Sequence, residues 1–291
     1  LEGILAVNKP LGMTSFDMVF GVRRLFSGVK VGHIGTLDPL ASGLLVMALG
    51  QACKTIEYME DYPKSYLAEV SFGTSTSTYD AEGQITQQAE SDWLNASLIK
   101  SVLSSFRGPI SQKPPIFSAL KRNGQKLYEL ARKGQTLELQ SRPVEIYELS
   151  LLNYQNSVAR LQITCSKGTY IRSLAHDLGQ VLGCPAHLSY LLRTQCGPFR
   201  LEEAWQMEDL ERFKSQDRLY DALLPIDSGI QHLPMVELSQ SEINEIRYGR
   251  AISYNNHTWP PDQAIRMYYN SVFQAIGRYG NCSLIPSKVF G

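Results

Sequence analysis

Two stretches of this chain change face with every residue. Tyr66, Ala68, Val70 and Phe72 point one way, and Ser65, Leu67, Glu69 and Ser71 point the other. Ala159, Leu161, Ile163 and Cys165 likewise alternate with polar neighbours. A period of two is the mark of a strand with one buried face. Gly3 to Pro10 reads as another short strand followed by a turn. The helices between the strands come singly. Thr14 and Asp17 offer a capping box for a helix with Phe16, Val19, Phe20, Val22 and Phe26 at helical spacing and Gly28 as its stop. Asn95 caps a second, carrying Leu98, Ile99, Val102, Leu103 and Phe106, which Gly108-Pro109 ends. Thr169 is expected to cap a third from about Tyr170 to Leu182, with Gly183 after it. Without a repeating strand–helix–strand rhythm, the expected class is α+β, a mixed and mainly antiparallel sheet with flanking helices.

With 291 residues the chain can hold one large domain and a small appendage. Its character changes near Gln231-His232. Beyond lies a capping box, Ser239 with Glu242, for a short helix ending at Gly249, followed by turn-rich, aromatic, strand-like pieces. The expected division is 1–231 for the main domain and 232–291 for a small β-rich one.

Lysines and arginines number 28 and so do aspartates and glutamates, which taken alone argues against a nucleic-acid partner. The charge is not evenly spread. Residues 100–142 hold nine cations (Lys100, Arg107, Lys113, Lys121, Arg122, Lys126, Arg132, Lys133, Arg142) against Glu129 and Glu138. Pro114-Pro115 opens an irregular loop there, and Gln125 to Lys133 reads as a short helix ended by Gly134. A charge run is usually a solvated loop, but this bias in a neutral protein favours a polyanion. The five cysteines form no C-x-x-C pair, and no secretory h-region or membrane-length apolar run is present. Free thiols in a reducing cytoplasm are the simplest reading. The five histidines lack ligand spacing, so no metal is expected. The chain starts at Leu1 rather than Met, so a few native residues are expected to precede it.

The chemically informative segment runs from Gly32 through His33, Ile34, Gly35, Thr36, Leu37, Asp38, Pro39, Leu40, Ala41, Ser42, Gly43 and Leu44 to Leu45. Gly32 and Gly35 permit unusual backbone angles and close approach of a ligand. Pro39 stiffens the backbone after Asp38. Asp38 is the only acid between Val31 and Thr55. A single carboxylate on a rigid loop framed by apolar residues can present a nucleophile. An anonymous Asp-Pro is more often a turn starter.

The whole string decides between these readings. At every position it resembles the motif G-H-x-G-[ST]-L-D-P-x-A-[ST]-G-[LVM]-L of the TruB-type pseudouridine synthases. Leu5 to Ser15 resembles the family's K-P-x-G-x-[ST]-S element, Lys64-Ser65-Tyr66 its K-x-Y strand, and Pro115 to Gly134 its RNA-clamping insertion, placed at about 110–142. Ser166 to Leu174 resembles its K-G-T-Y-I-R segment. The collinear resemblance runs from about residue 4 to 197, and the remaining C-terminal residues resemble the family's PUA-like domain only weakly.

The resemblance implies a pseudouridine synthase fold with a central cleft. It also implies a cofactor-free enzyme without a metal that converts uridine to pseudouridine at position 55 in the tRNA T-loop, on a flipped-out base. Asp38 is then the nucleophile, with attack at C6 of the base or at C1′ of the ribose both open. Tyr66 stacks on the uracil and can take the C5 proton; otherwise it is a core aromatic. Arg172 pairs with Asp38; otherwise it is a surface cation, poorly placed in a helix's first turn. Tyr170 and Leu191 line the pocket, and His33 fills the space left by the flipped base. Lys9 and Lys121 are candidate RNA contacts. The implied partner is the tRNA T-arm, with no membrane, no obligatory protein partner and a monomeric state. Three other readings compete: a non-catalytic RNA-binding protein on the same scaffold, the synthase subunit of guide-RNA particles, and an aspartate-nucleophile glycosidase. The last needs a second carboxylate, and none lies in a matched motif.

Overall fold

The computed structural model describes residues 1–117, 121–122, 125–126, 139–255 and 258–290. Strand β1 (Gly3–Lys9) leads into helix α1 (Ser15–Leu25), which opens with the expected capping box of Thr14 and Asp17. Its buried stripe is Ser15, Met18, Val22 and Leu25. Phe16 and Phe20, expected on the apolar face, are 73% and 62% exposed, because they lie one strip over from the residues that meet the sheet.

Next come β2 (Val31–Ile34), β3 (Ala41–Leu49), β4 (Lys64–Phe72), β5 (Thr74–Thr76) and β6 (Ile85–Gln88). Helix α2 (Ala96–Leu103), capped by Asn95, continues as a tight turn over Ser104–Phe106. Then follow β7 (Gly108–Gln112) and two short paired strands, β8 (Lys121–Arg122) and β9 (Gln125–Lys126). The helix expected from Gln125 therefore does not begin there; its remainder, 127–133, and the stop at Gly134 lie outside the described residues. The chain goes on through β10 (Arg142–Gln155), β11 (Val158–Cys165), helix α3 (Ile171–Leu182), β12 (Ala186–Cys196), β13 (Phe199–Arg200) and helix α4 (Met207–Ser215).

Seven strands form the main path of a nine-stranded sheet, in the order β1-β3-β12-β4-β11-β10-β7, with β2 beside β3 and β13 beside β12. All its pairings are antiparallel except β12 with β3. Strand β4 keeps its period of two, since Lys64, Tyr66, Ala68, Val70 and Phe72 are buried and their neighbours are not. Strand β3 is buried along nearly its whole length. Leu45, Met47 and Leu49 enter the core with α1 and α3, while Leu44, Val46 and Ala48 enter a second core on the other face. Burial on both faces explains why this segment reads as a continuous apolar run.

The second core also takes Ile230 and Leu233, and Ile276 and Phe290 from the C-terminal part of the chain. That part holds β14 (Met235–Glu237), helix α5 (Gln240–Arg247) with the expected capping box of Ser239 and Glu242, β15 (Ile252–Ser253), β16 (Ala264–Tyr269), β17 (Val272–Gly280) and β18 (Ser283–Val289). Its five strands form one sheet in the order β14-β16-β17-β18-β15. Cys53, Cys165, Cys184, Cys196 and Cys282 are free thiols. Among the described residues no helix is long and apolar enough to cross a membrane.

Candidate active site

Asp38 sits in the loop between β2 and β3, and three neighbours hold that loop. The Leu37 N–H donates to Ser15 Oγ at 2.8 Å, and the same hydroxyl donates to the Leu37 carbonyl at 3.1 Å. Gly12 N–H donates to the Pro39 carbonyl, and Ala41 N–H to the Asp38 carbonyl. Gly35 has φ of 74°, the left-handed region that favours glycine. Gly32 lies outside that region, so its lack of a side chain serves a different end: a Cβ there would collide with the Ile56 side chain.

Arg172 reaches the loop from the first turn of α3. The helix begins at Ile171 with Tyr170 as its N-cap, so Thr169 lies one residue too early to cap it. Gln112, buried at the end of β7, fixes Tyr170 from both sides: its amide donates to the Tyr170 carbonyl at 3.0 Å and its oxygen accepts the Tyr170 N–H at 2.8 Å. The Arg172 guanidinium is buried. Its Nη2 lies 2.9 Å from Asp38 Oδ2, and its Nη1 lies 3.4 Å from Asp80 Oδ2. Nη2 also donates to the Phe117 carbonyl at 3.1 Å. One rigid fork therefore serves two carboxylates.

Those carboxylates are placed differently. The Asp38 side chain is 41% accessible and opens into a cavity. It is nevertheless set deep in the protein, and this desolvation pushes its pKa above the usual carboxylate range, with Arg172 pulling it down and Asp80 adding to the rise. Asp80 is 3% exposed and does not line the cavity. Its carboxylate accepts from the Thr78 hydroxyl and from the Glu82 N–H. A second acid thus stands beside the first. It lies outside every matched motif, and its lone pairs are engaged, which leaves it unsuited to the acid role of a glycosidase.

The cavity has a volume of about 500 Å3, within the range of small-ligand pockets. His33, Asp38, Tyr66, Tyr170, Arg172 and Leu191 all line it. Tyr66 projects from β4 and is buried. Burial pushes its phenol up to about 12, and the positive charge of Arg193 opposes the rise. Burial, with help from Arg193, lowers the pKa of His33 and favours its neutral form.

Arg193 and Lys64 also line the cavity; Lys64 opens the K-x-Y string, whereas Arg193 does not stand out in the sequence, because a lone cation within a strand carries no local signal. Arg193, 1% exposed, lies directly across from Tyr66 in the sheet. Its Nε donates to the Leu44 carbonyl at 2.7 Å and its Nη2 to the Gly35 carbonyl at 3.0 Å. The Lys64 ammonium donates to the Glu60 and Tyr62 carbonyls. Arg193→Met is expected to lower stability by about 2–4 kcal/mol, since the Leu44 and Gly35 carbonyls both lose a charged donor. Urea unfolding measures this; a change under about 0.5 kcal/mol would show that the loop holds itself.

Of the two expected RNA contacts, the structure describes the side chain of Lys9 alone. Lys9 does not line the cavity. It is fully buried, its ammonium donates to the Pro10 and Met13 carbonyls at 3.0 and 2.5 Å, and desolvation lowers its pKa to about 8 against the pull of Asp38. Lys121 belongs to β8, but its side chain lies outside the described residues. Within the basic stretch Arg107 is used by the fold, both its Nε and Nη2 donating to the Leu149 carbonyl.

Comparison with known proteins follows the same lines. A family model described as TruB family pseudouridylate synthase, N-terminal domain, matches residues 23–171. A second, described as tRNA pseudouridylate synthase B C-terminal domain, matches residues 172–231. The chain is 42% identical over 290 residues to the tRNA pseudouridine synthase B of Dehalococcoides mccartyi, covering 100% of this chain and 97% of that protein. It is 38% identical over 291 residues to the protein of that name from Francisella tularensis subsp. novicida, covering 100% and 95%. Among solved structures it is similar to a chain of a Cbf5-Nop10-Gar1 complex, with a TM-score of 0.76, 25% identity and coverage of 99% of this chain and 85% of that one.

Proposed function

The chain belongs to the TruB family of pseudouridylate synthases, and from that premise we propose that it isomerises uridine to pseudouridine at position 55 in the T-loop of tRNA. The observation that carries the reading is the Asp38 carboxylate, held by Arg172 at 2.9 Å at the edge of a cavity lined by Tyr66, Tyr170 and Leu191. Arg172 favours the ionised form of Asp38, while the stronger effect of desolvation favours the neutral one. Asp38 is the nucleophile in cleavage of the glycosidic bond. The freed uracil turns between the rings of Tyr66 and Tyr170 and the Leu191 side chain, and a carbon–carbon bond from C5 to the ribose forms. The C5 proton then leaves. At neutral pH Tyr66 begins as a phenol, so its first part is to stack on the base. Taking the C5 proton requires it to lose its own, which Arg193 favours and burial opposes. His33 takes the space vacated by the flipped base.

Extruding the base costs a few kcal/mol, less in a loop than in a duplex. Phosphate contacts from the basic segment that includes Lys121 offset this cost. Reversing the charges of Lys121, Arg122 and Lys126 together is expected to weaken tRNA binding and to lower the salt slope by about 0.7–0.9 per lost phosphate contact. An unchanged slope removes the segment from the interface. The same reading treats 1–231 as the catalytic unit and 232–291 as a PUA-like satellite. The enzyme is proposed to act as a monomer in the cytoplasm without a cofactor.

The deciding experiment maps pseudouridine in a bare T-arm stem-loop transcript incubated with the purified protein. Modification at one T-loop uridine, position 55, without guide RNA or partner protein, is the expected result. Tight binding with unmodified uridine would leave only the non-catalytic reading. Activity that appears only with a guide RNA would favour the particle subunit.

A further inference from the structure

Helix α3 and the turn between β5 and β6 meet through two adjacent pairs. Arg172 and His176 stand four residues apart on α3 and so share a face. Tyr79 and Asp80 are neighbours on the turn. Arg172 pairs with Asp80, and one helical turn further on the His176 imidazole stacks on the Tyr79 ring, with centroids 3.9 Å apart and planes 12° apart. The turn is also pinned to β12 on either side of Asp80. Leu188 N–H donates to the Tyr79 carbonyl and Ala81 N–H to the Leu188 carbonyl, both at 3.0 Å.

Tyr79 has φ of 64°, in the left-handed region where a bulky side chain is a genuine outlier. Glycine, asparagine or aspartate would be the usual choice at such a turn position. The ring is therefore retained despite a backbone cost, and its visible partner is His176. Burial lowers the pKa of His176, and a neutral imidazole suits a stack near a guanidinium.

We propose that the Tyr79–His176 stack is a positioning device for the reaction: it locks the turn against α3 so that Asp80 meets Arg172 and the other arm of that fork stays aimed at Asp38. Neither ring lines the cavity. Both act through Asp80 and Arg172 and are positioning residues, not catalytic ones. The inference rests on the reading of Asp38 as the nucleophile of a uridine isomerisation.

The test uses the full chain and the T-arm transcript, with single-turnover rates, RNA affinity and thermal melting measured together. Tyr79→Gly removes the ring but suits the backbone angle, and relief at the left-handed position offsets part of the lost stack, so the melting temperature should fall by only a few degrees. It is expected to slow the single-turnover rate about tenfold, with RNA affinity within about twofold, as a misaimed group does. His176→Ala should act alike, and His176→Phe, which keeps a ring in place, should retain most of the rate. In an Asp80→Asn background Tyr79→Gly should cause no further loss. A wild-type rate for Tyr79→Gly, or a full multiplicative loss on top of Asp80→Asn, overturns the inference even if His176→Ala fails to fold. A wild-type protein that leaves uridine unchanged overturns the proposed function instead, so the two failures are distinct.

Discussion

Asp38→Asn is expected to reduce pseudouridine formation by on the order of ten-thousand-fold or more, the scale of losing a nucleophile, while tRNA affinity stays within a few fold. The amide keeps the shape of the loop and an acceptor for Arg172 Nη2, but not the charge or the nucleophilic oxygen pair. The guanidinium is not orphaned, because Asp80 remains beside Nη1. The same variant should be no less stable than the wild type at neutral pH. The folded-state pKa of Asp38 lies above its unfolded value. A raised carboxyl favours the folded state below the unfolded pKa, and that contribution is lost as pH rises through the folded value. Above that window the buried charge costs stability, and asparagine removes the cost. Melting should thus show Asp38→Asn above wild type at pH 7, with the gap closing below about pH 4. Wild-type activity should rise with pH through the same displaced window, because the carboxylate is the reacting form. Residual isomerisation within tenfold of wild type would assign the nucleophile elsewhere.

How far the site could be read in the sequence depended on how local each relationship was. The loop around Asp38 is a contiguous string, and Tyr66 and Arg172 lie in short strings of their own, so all three are legible. Asp80 lies in no such string. Its importance arises only when β12 and α3 bring it to Arg172, ninety-two positions away in the chain, and nothing in Ser77-Thr78-Tyr79-Asp80 announces that meeting. Arg193 was hidden for a related reason: a buried arginine in a strand looks like an interruption until its partners, the Gly35 and Leu44 carbonyls, are seen. In the fold, the alternation of β4 and β11 translated directly into strands, because one face of each is buried. Helix α1 forms where expected, with Val22 and Phe26 buried as its spacing implies, but Phe16 and Phe20 are exposed. Phe16 and Phe20 are apolar at helical spacing, yet the sheet meets the strip of Ser15, Met18, Val22 and Leu25. Apolar spacing specifies a helix more tightly than it specifies which flank of the stripe is covered. Lys9 shows the converse. The family resemblance makes it a candidate RNA contact, whereas here its ammonium ties off the Pro10 and Met13 carbonyls of its own loop.

Arg172→Met should separate stability from catalysis in a way that tests the shared fork. Its loss leaves Asp80, 3% exposed, without its cation, and breaking a buried pair from one side typically costs about 3–5 kcal/mol. Asp38 loses the donor that holds and orients its carboxylate, and turnover should fall by roughly a hundred- to a thousand-fold, as when a preorganised charge is removed from a site. Adding Asp80→Asn to Arg172→Met should then recover much of the stability, because the stranded charge is gone and the amide oxygen can still accept from Thr78 and the Glu82 N–H. It should recover none of the activity, because Asp38 still lacks its partner. Arg172→Lys should be an incomplete repair, since one ammonium cannot reproduce the planar fork that reaches Asp38 and Asp80 from separate nitrogens. Urea unfolding and single-turnover rates on the four proteins decide the matter. A double variant no more stable than Arg172→Met would mean that Asp80 is not held by charge, and a double variant with restored turnover would mean that Asp38 needs no cation.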